Sequence, residues 1–363
     1  MLGKIKNRID SEISAYFRSL RRLYPSEILP SILFDHLEGF IMRNSKRARP
    51  IFFILGYLGF AKKIPRGLYK SAVSVELLHN FILIHDDIID RSDTRRNRPS
   101  LHCELDKYTL KYNRIKHSGK DLALVAGDIL YALGMANFLS VDIRSERKEA
   151  ALKKLFEAAV YTGSGEFLEL LSELKGLSAI SKPDIYRIYD LKTGIYSFAT
   201  PLIMGAMLAG IKKAGLNRLY NYGICIGRAF QIKDDVMDVI GSKENDFKPP
   251  LTDLRESKRT ILMWHAYNNG DDRDREILAN TMEKEDTPYC ELLKIRQILI
   301  KTGAIDFAVK EIRRLIELSK DYCDGSGMSK IYRNALMSYC EGLLKISADV
   351  SPSMLPYPAG ISL

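Results

Sequence analysis

The sequence predicts an all-α fold, a bundle of roughly ten or more helices packed around a central cavity, and three observations carry that reading. Apolar residues recur at helical spacing along most of the chain. Alternating runs that would mark strands are scarce. The acidic pattern DDxxD occurs twice, at the ends of two helical segments roughly 150 residues apart.

In chain order, the helical spacing is clearest in Val73, Leu77, Phe81 and Ile84, and again in Leu152, Leu155, Phe156 and Val160. Breaks are expected where polar residues, Gly or Pro collect: Arg91 to Ser100, Ser118 to Asp121, Gly241 to Lys258, Asn268 to Asp274 and the tail from Ser351. None of these is long or biased enough to be a linker. The expectation is one domain over residues 1–363, with facing helices projecting site residues inward.

Composition narrows the class. With 46% hydrophobic and 28% charged residues, the chain is globular rather than disordered. An excess of 55 Lys and Arg over 45 Asp and Glu leaves a charge of +10, which suits a phosphorylated small substrate, an anionic surface or nucleic acid. No zinc-finger spacing or aromatic-interleaved basic stripe supports nucleic acid. Cys103, Cys225, Cys290, Cys323 and Cys340 stand singly, without a CxxC pair, so neither a disulfide framework nor a zinc site is indicated. Charges interrupt the N-terminal apolar stretches, and no uninterrupted apolar run of spanning length is apparent. A reducing, cytoplasmic setting without a membrane span is the expectation.

The chemistry lies in the acidic repeats. In HDDIID, Asp86 and Asp90 share a helix face and Asp87 lies about 100° round the axis; in KDDVMD, Asp234, Asp235 and Asp238 repeat the arrangement. Packed carboxylates repel unless a cation joins them. Oxygen-only ligands favour magnesium or calcium, and a ligand set too small to fill the shell leaves room for phosphate oxygens. The alternating ligand spacing of a calcium-binding EF-hand loop is absent from both clusters.

Cations surround the acids in sequence. Lys46, Arg47 and Arg49 lie upstream, Arg95, Arg96 and Arg98 follow the first cluster, and Lys192, with the hydroxyl of Thr193 beside it, Lys248 and Lys258 come later. Guanidinium groups bind phosphate through paired charge-assisted hydrogen bonds. His79, two turns before Asp86, reads equally as a core residue or a phosphate contact; the same holds for Gln231, one turn before Asp234.

The ordered set SKRARP, LLHNFILIHDDIID, DTRRNRPSLH, AGDILYALG, GSGEFLEL, KTG, FQIKDDVMD and DLRESKRTIL, over about residues 40 to 265, resembles the trans-isoprenyl diphosphate synthases. The resemblance implies an isoprenoid-synthase-like homodimer that uses two or three magnesium ions per site. It would condense isopentenyl diphosphate with an allylic diphosphate by ionisation, condensation and proton loss. It assigns Lys46, Arg49, His79 and Arg96 to isopentenyl diphosphate, and Arg95, Lys192, Thr193, Gln231, Lys248 and Lys258 to the allylic diphosphate. Asp86, Asp90 and Asp234 would be the principal metal ligands, with Asp87, Asp235 and Asp238 in support. Here Ser45, Asn97, Phe247 and Ser257 stand where the family usually has Gly. The segment from Gly241 to Lys258 is the candidate lid.

Product length would depend on what lies below the first cluster. Phe81 falls about 7.5 Å of helix rise below Asp86, where its ring could form a floor as well as pack the core; Ile82 follows it. One aromatic there, without an insertion in the aspartate motif, resembles archaeal-type geranylgeranyl diphosphate synthases. The expected product is C20. The alternatives are a farnesyl or bifunctional C15/C20 synthase, a terpene cyclase and a non-catalytic subunit.

Overall fold

The structure, a computed structural model, describes residues 1–112, 116–241, 251–282, 284 and 287–346. It begins with α1 (Leu2–Leu23), α2 (Ser31–Ile41), α3 (Ala48–Leu58) and α4 (Leu68–Ile89). A short hairpin, β1 (Thr94–Arg95) and β2 (Arg98–Pro99), leads to α5 (Leu101–Thr109), α6 (Gly119–Phe138) and α7 (Ser145–Glu173). After a 3-10 turn at Leu177–Ala179 come α8 (Lys182–Tyr189), a π-helix over Asp190–Ala199, α9 (Thr200–Ala209) and α10 (Lys213–Ile240). The rest comprises α11 (Thr252–Arg255), α12 (Ile261–Asn269), α13 (Asp272–Met282), α14 (Tyr289–Lys301), α15 (Ala304–Asp324) and α16 (Lys330–Leu344). The all-α expectation is met, and that hairpin is the sole strand pair among the described residues.

Surface helices and central helices differ in pattern. α1 buries one stripe, Ile5, Ile9, Ile13, Phe17 and Leu20, at the four-residue spacing of an amphipathic helix. α4 is apolar nearly all round and buries most of its length, as a helix enclosed by α1, α3 and α6 must. Its last turn changes character. There Asp86 and Asp87 project from the end of an otherwise apolar rod, and Asp90 caps it.

The expected lack of a membrane span meets one weak candidate among the described residues. α6 is long and apolar enough by length and composition, though half of its most apolar window is buried within the bundle, where it packs on α4. Lys120, Asp121 and Asp128 had disguised that length in the sequence.

The π-helix is set against α7 and α10 by backbone contact. A Cβ on Gly227 of α10 would overlap the Cα of Gly194, and one on Gly165 of α7 would lie 2.6 Å from the Lys192 amide nitrogen. Wide π turns recur at functional sites, and here the wide turn carries Lys192 and Thr193. Gly227→Ala should cost ~1–3 kcal/mol in chemical denaturation through overpacking, with activity falling further than stability. Gly342→Ala, which meets open space in α16, is the control. Equal stability of the two variants would sink the close-packing argument.

Candidate active site

The end of α4 is organised by one arginine. Arg95, on β1, donates from Nε to Asp87 at 2.7 Å and from Nη2 to Asp86 at 3.3 Å, with a further short contact to Asp87. Asp87 is fully buried. Burial opposes the Arg95 charge, but Asp87 and Asp86 more than offset it and hold its pKa above the usual value. The hairpin is held in turn by Arg43, which donates to the Arg95 carbonyl at 3.0 Å. Arg96 and Asn97 at its tip have φ of 55° and 57°, both left-handed, as a two-residue type I′ loop requires. Asn97 thus adopts the backbone expected where Gly is usual.

Two lysines reach the carboxylates from other elements. Lys192 Nζ lies 3.7 Å from Asp86 Oδ1 and 2.8 Å from Glu166 Oε2, and donates to Glu169 as well. Lys258 Nζ lies 3.4 Å from Asp90, 3.7 Å from Asp253 and 2.7 Å from Glu256. Burial would discharge both ammonium groups. Glu169 and Asp86 prevent this at Lys192, as do Asp253 and Asp90 at Lys258, so both remain charged.

Glu166 and Glu169 were absent from the sequence assignment, although they lie in the GSGEFLEL motif. Carboxylate oxygens of Asp86, Asp90 and Glu166 lie within 4.8 Å of one another, a spacing that one hard divalent cation could bridge. One turn further along α7, Glu173 is pushed up to about 7 by burial and by Glu169. The acidic face of α7 therefore continues the carboxylates of α4.

On α10 the three aspartates occupy different surroundings. Asp234 is exposed. Asp235 is buried and accepts from Gln231 Nε2 at 3.1 Å and from the Tyr189 hydroxyl, which itself accepts from the Ile261 amide at 2.9 Å. Burial, reinforced by Asp253, raises the Asp235 pKa far above the carboxylate range. Asp238 accepts from the Thr252 and Asp253 amides at 3.0 and 3.1 Å, capping α11. Thr193 donates to Gln231 at 2.8 Å, which ties the π-helix to this cluster. Two chains of contacts thus join the aspartate clusters, one through Lys192, Thr193 and Gln231 and the other through Lys258 and Asp253. Lys248 and half of the candidate lid lie outside the described residues; Gly241 and Leu251 to Lys258 are described.

A second cationic group lies on the other side. Arg49 donates from Nη2 to the Tyr196 hydroxyl at 2.8 Å and to Ser197 Oγ at 2.7 Å, both on the π-helix. Its Nε, like Nη1 of Arg96, is buried with no hydrogen-bond partner among the described residues. His79 is buried with Nδ1 3.4 Å from the Tyr196 hydroxyl. Burial first, then Arg49 and Arg96, depress its pKa so that the ring stays neutral. Burial also lowers Arg96, to about 10. Orphaned guanidinium N–H groups in a basic pocket suit an anion of several oxygens. Lys46 is exposed, and its carbonyl accepts from the Tyr339 hydroxyl at 2.9 Å. Arg47, the remaining cation of SKRARP, is instead a core tie to Glu76 at 2.6 Å and Asp10 at 2.7 Å.

Below the carboxylates, the Phe81 ring packs edge-on against His85 with centroids 4.7 Å apart, and 5.1 Å from Tyr131 of α6. Ile82 is partly buried beside it. Sequence reasoning had no route to Tyr131, which reaches Phe81 only through helix packing.

Residues 30–299 match the polyprenyl synthetase family model. Among curated relatives, a geranylfarnesyl diphosphate synthase of Natronomonas pharaonis is 31% identical over 70% of this chain and 68% of its own length. A short chain isoprenyl diphosphate synthase of Methanocaldococcus jannaschii is 32% identical over 78% of this chain and 79% of its own. The fold is shared with a geranylgeranyl pyrophosphate synthase of Corynebacterium glutamicum solved with isoprenyl diphosphate and magnesium: TM-score 0.86, 24% identity, 95% of this chain and 99% of that one. With the twin aspartate motifs, the all-α bundle and a family match over most of its length, the chain belongs to the polyprenyl synthetase family.

Proposed function

We propose that the chain condenses isopentenyl diphosphate with dimethylallyl, geranyl and farnesyl diphosphates to give geranylgeranyl diphosphate, acting as a single domain and as a homodimer. The observation that carries this reading is the division of the cations. Arg49, Arg96 and neutral His79 form one anion pocket, to which the sequence resemblance adds Lys46, and Lys192, Thr193, Gln231 and Lys258 flank the carboxylates. Two phosphorylated substrates need two such pockets, whereas a cyclase acting on one diphosphate needs a single one.

The donor set fits magnesium. Asp86, Asp90 and Glu166 would hold it from one side and Asp234 from the other, with two or three ions per site. Asp87, Asp235 and Asp238 act from behind, through Arg95, Tyr189 with Gln231, and the α11 amides. When bound, the metal supplies charge neutralisation for the departing diphosphate. With Asp86 and Asp90 committed to that task, the Lys192 and Lys258 ammonium groups face the diphosphate as its allylic C–O bond breaks. Arg49 and Arg96 orient isopentenyl diphosphate so that its double bond attacks the allylic carbon. A proton is then lost, and the departed diphosphate is the base we assign. Closure by the segment that ends at Lys258, with Lys248 on it, would exclude water.

Phe81 and Tyr131 together are the proposed floor for the growing chain, supporting C20. The geranylfarnesyl names of two relatives favour C25 as a second reading. Exposed apolar side chains on α6 and α7, among them Val125, Val160, Phe167 and Leu171, support the homodimer.

Incubation with labelled isopentenyl diphosphate and each allylic starter, followed by chromatography, should give C20 as the main product, and Phe81→Ala should lengthen it. A main product of C25 or longer from the unaltered protein, or no change in the variant, would overturn the floor. Glu166→Ala should raise the half-activating magnesium concentration about tenfold, the low end of what a lost metal contact costs. A lower kcat with an unchanged magnesium requirement would mean that Glu166 only positions Lys192. In sedimentation, Val125→Glu with Val160→Glu should convert a dimer to a monomer; a persisting dimer would place the interface elsewhere.

A further inference from the structure

Behind the hairpin that carries Arg95 and Arg96 lies a second group of ligating side chains with a different chemistry. Asp93, His102 and Cys103 each bring a ligand atom within 4.8 Å of the other two. Cys103 Sγ lies 3.6 Å from Asp93 Oδ1, and the Ser100 hydroxyl lies 3.2 Å from His102 Nδ1. His102 is buried, Cys103 partly buried and Asp93 exposed, so the group opens to solvent on one side. Of the nearby charges, Asp106 favours a cation there and Lys120 opposes it.

We propose that Asp93, His102 and Cys103 form a second metal site, for a borderline-soft divalent ion of the zinc class, separate from the magnesium site. The donor set decides the class. A thiolate, an imidazole and a carboxylate are the ligands that zinc prefers, and three of them leave a fourth tetrahedral position for water. Magnesium, which takes oxygen, has no reason to choose this group over Asp86 and Asp90.

The location gives the site a consequence. The Ser100 amide donates to the Asp93 carbonyl at 2.8 Å, closing the base of the hairpin. An ion held by Asp93 on one side and by the first turn of α5 on the other would clamp the same base. Arg95 and Arg96 project from the clamped segment, so the ion would fix the turn that presents them. Binding releases the Cys103 proton, so occupancy rises with pH, the sign expected for a thiolate ligand.

The test uses cobalt(II) as a coloured zinc surrogate, added to the full-length protein in saturating magnesium. One equivalent should bind, with the charge-transfer band of a cobalt–thiolate bond. Cys103→Ser should abolish the band while keeping the magnesium-dependent activity, whereas Cys290→Ser, which alters the other solvent-accessible thiol, should leave it intact. Zinc should raise the melting temperature of the parent protein and of Cys290→Ser, but not of Cys103→Ser or Asp93→Asn. A missing band, a band that survives Cys103→Ser, or displacement of cobalt by excess magnesium would overturn the proposal.

Discussion

Carboxylates crowded into one end of a helical bundle repel one another, and the pairing that restrains them is the constraint on which this structure depends. Asp86, Asp87 and Asp90 end a helix that is apolar along nearly all its length, so water cannot disperse their charge as it would on a surface. Arg95 ties two of them from a hairpin, Lys192 reaches the first from the π-helix and Lys258 the last from the turn after α11. Each cation arrives from a different element. The site therefore fixes where those elements lie as much as they fix the site.

The π-helix is where that coupling is densest. Its N-terminal half supplies Lys192 to the carboxylates and Thr193 to Gln231, and its C-terminal half supplies Tyr196 and Ser197 to Arg49 in the other pocket. An α-helix of the same residues would rotate one set away from its partners, because each position turns about 100° and the wider π turn less. Gly165 and Gly227 permit the close approach that holds the segment in that form.

Much of this was legible in the sequence because it rests on short spacings. The DDxxD repeats give helix faces directly, and apolar periodicity gives the bundle. Glu166 and Glu169 lie within the GSGEFLEL motif yet carry no legible role in sequence, since isolated glutamates on a helix look like a solvated face until Lys192 is seen opposite them. Asp235 and Asp238 looked like repeats of Asp87 and Asp90, yet Tyr189 and the α11 amides, which distinguish them, come from distant or irregular segments. Tyr131 belongs to the same class: it is remote in sequence and meets Phe81 only by packing. The length of α6 was hidden for a different reason, because a few charges break its apolar run without breaking the helix.

The turn at Ser257 shows how a local departure can be absorbed by its surroundings. A left-handed serine, φ 57° here, costs on the order of 1–2 kcal/mol relative to glycine, yet the turn must form if Lys258 is to reach Asp90. The Lys258 amide donates to the Asp253 carbonyl at 2.9 Å, and the buried Arg259 donates to the Ser257 carbonyl at 2.8 Å. Arg259 also donates to the carbonyls of Glu173 and Lys175 just beyond the acidic face of α7, at 3.0 and 2.9 Å. These bonds over-determine the turn, so glycine's freedom is not needed there. They also fix Lys258 to the end of the helix that carries Glu166, and a single arginine thereby couples the lysine on one side of the site to the carboxylates on the other.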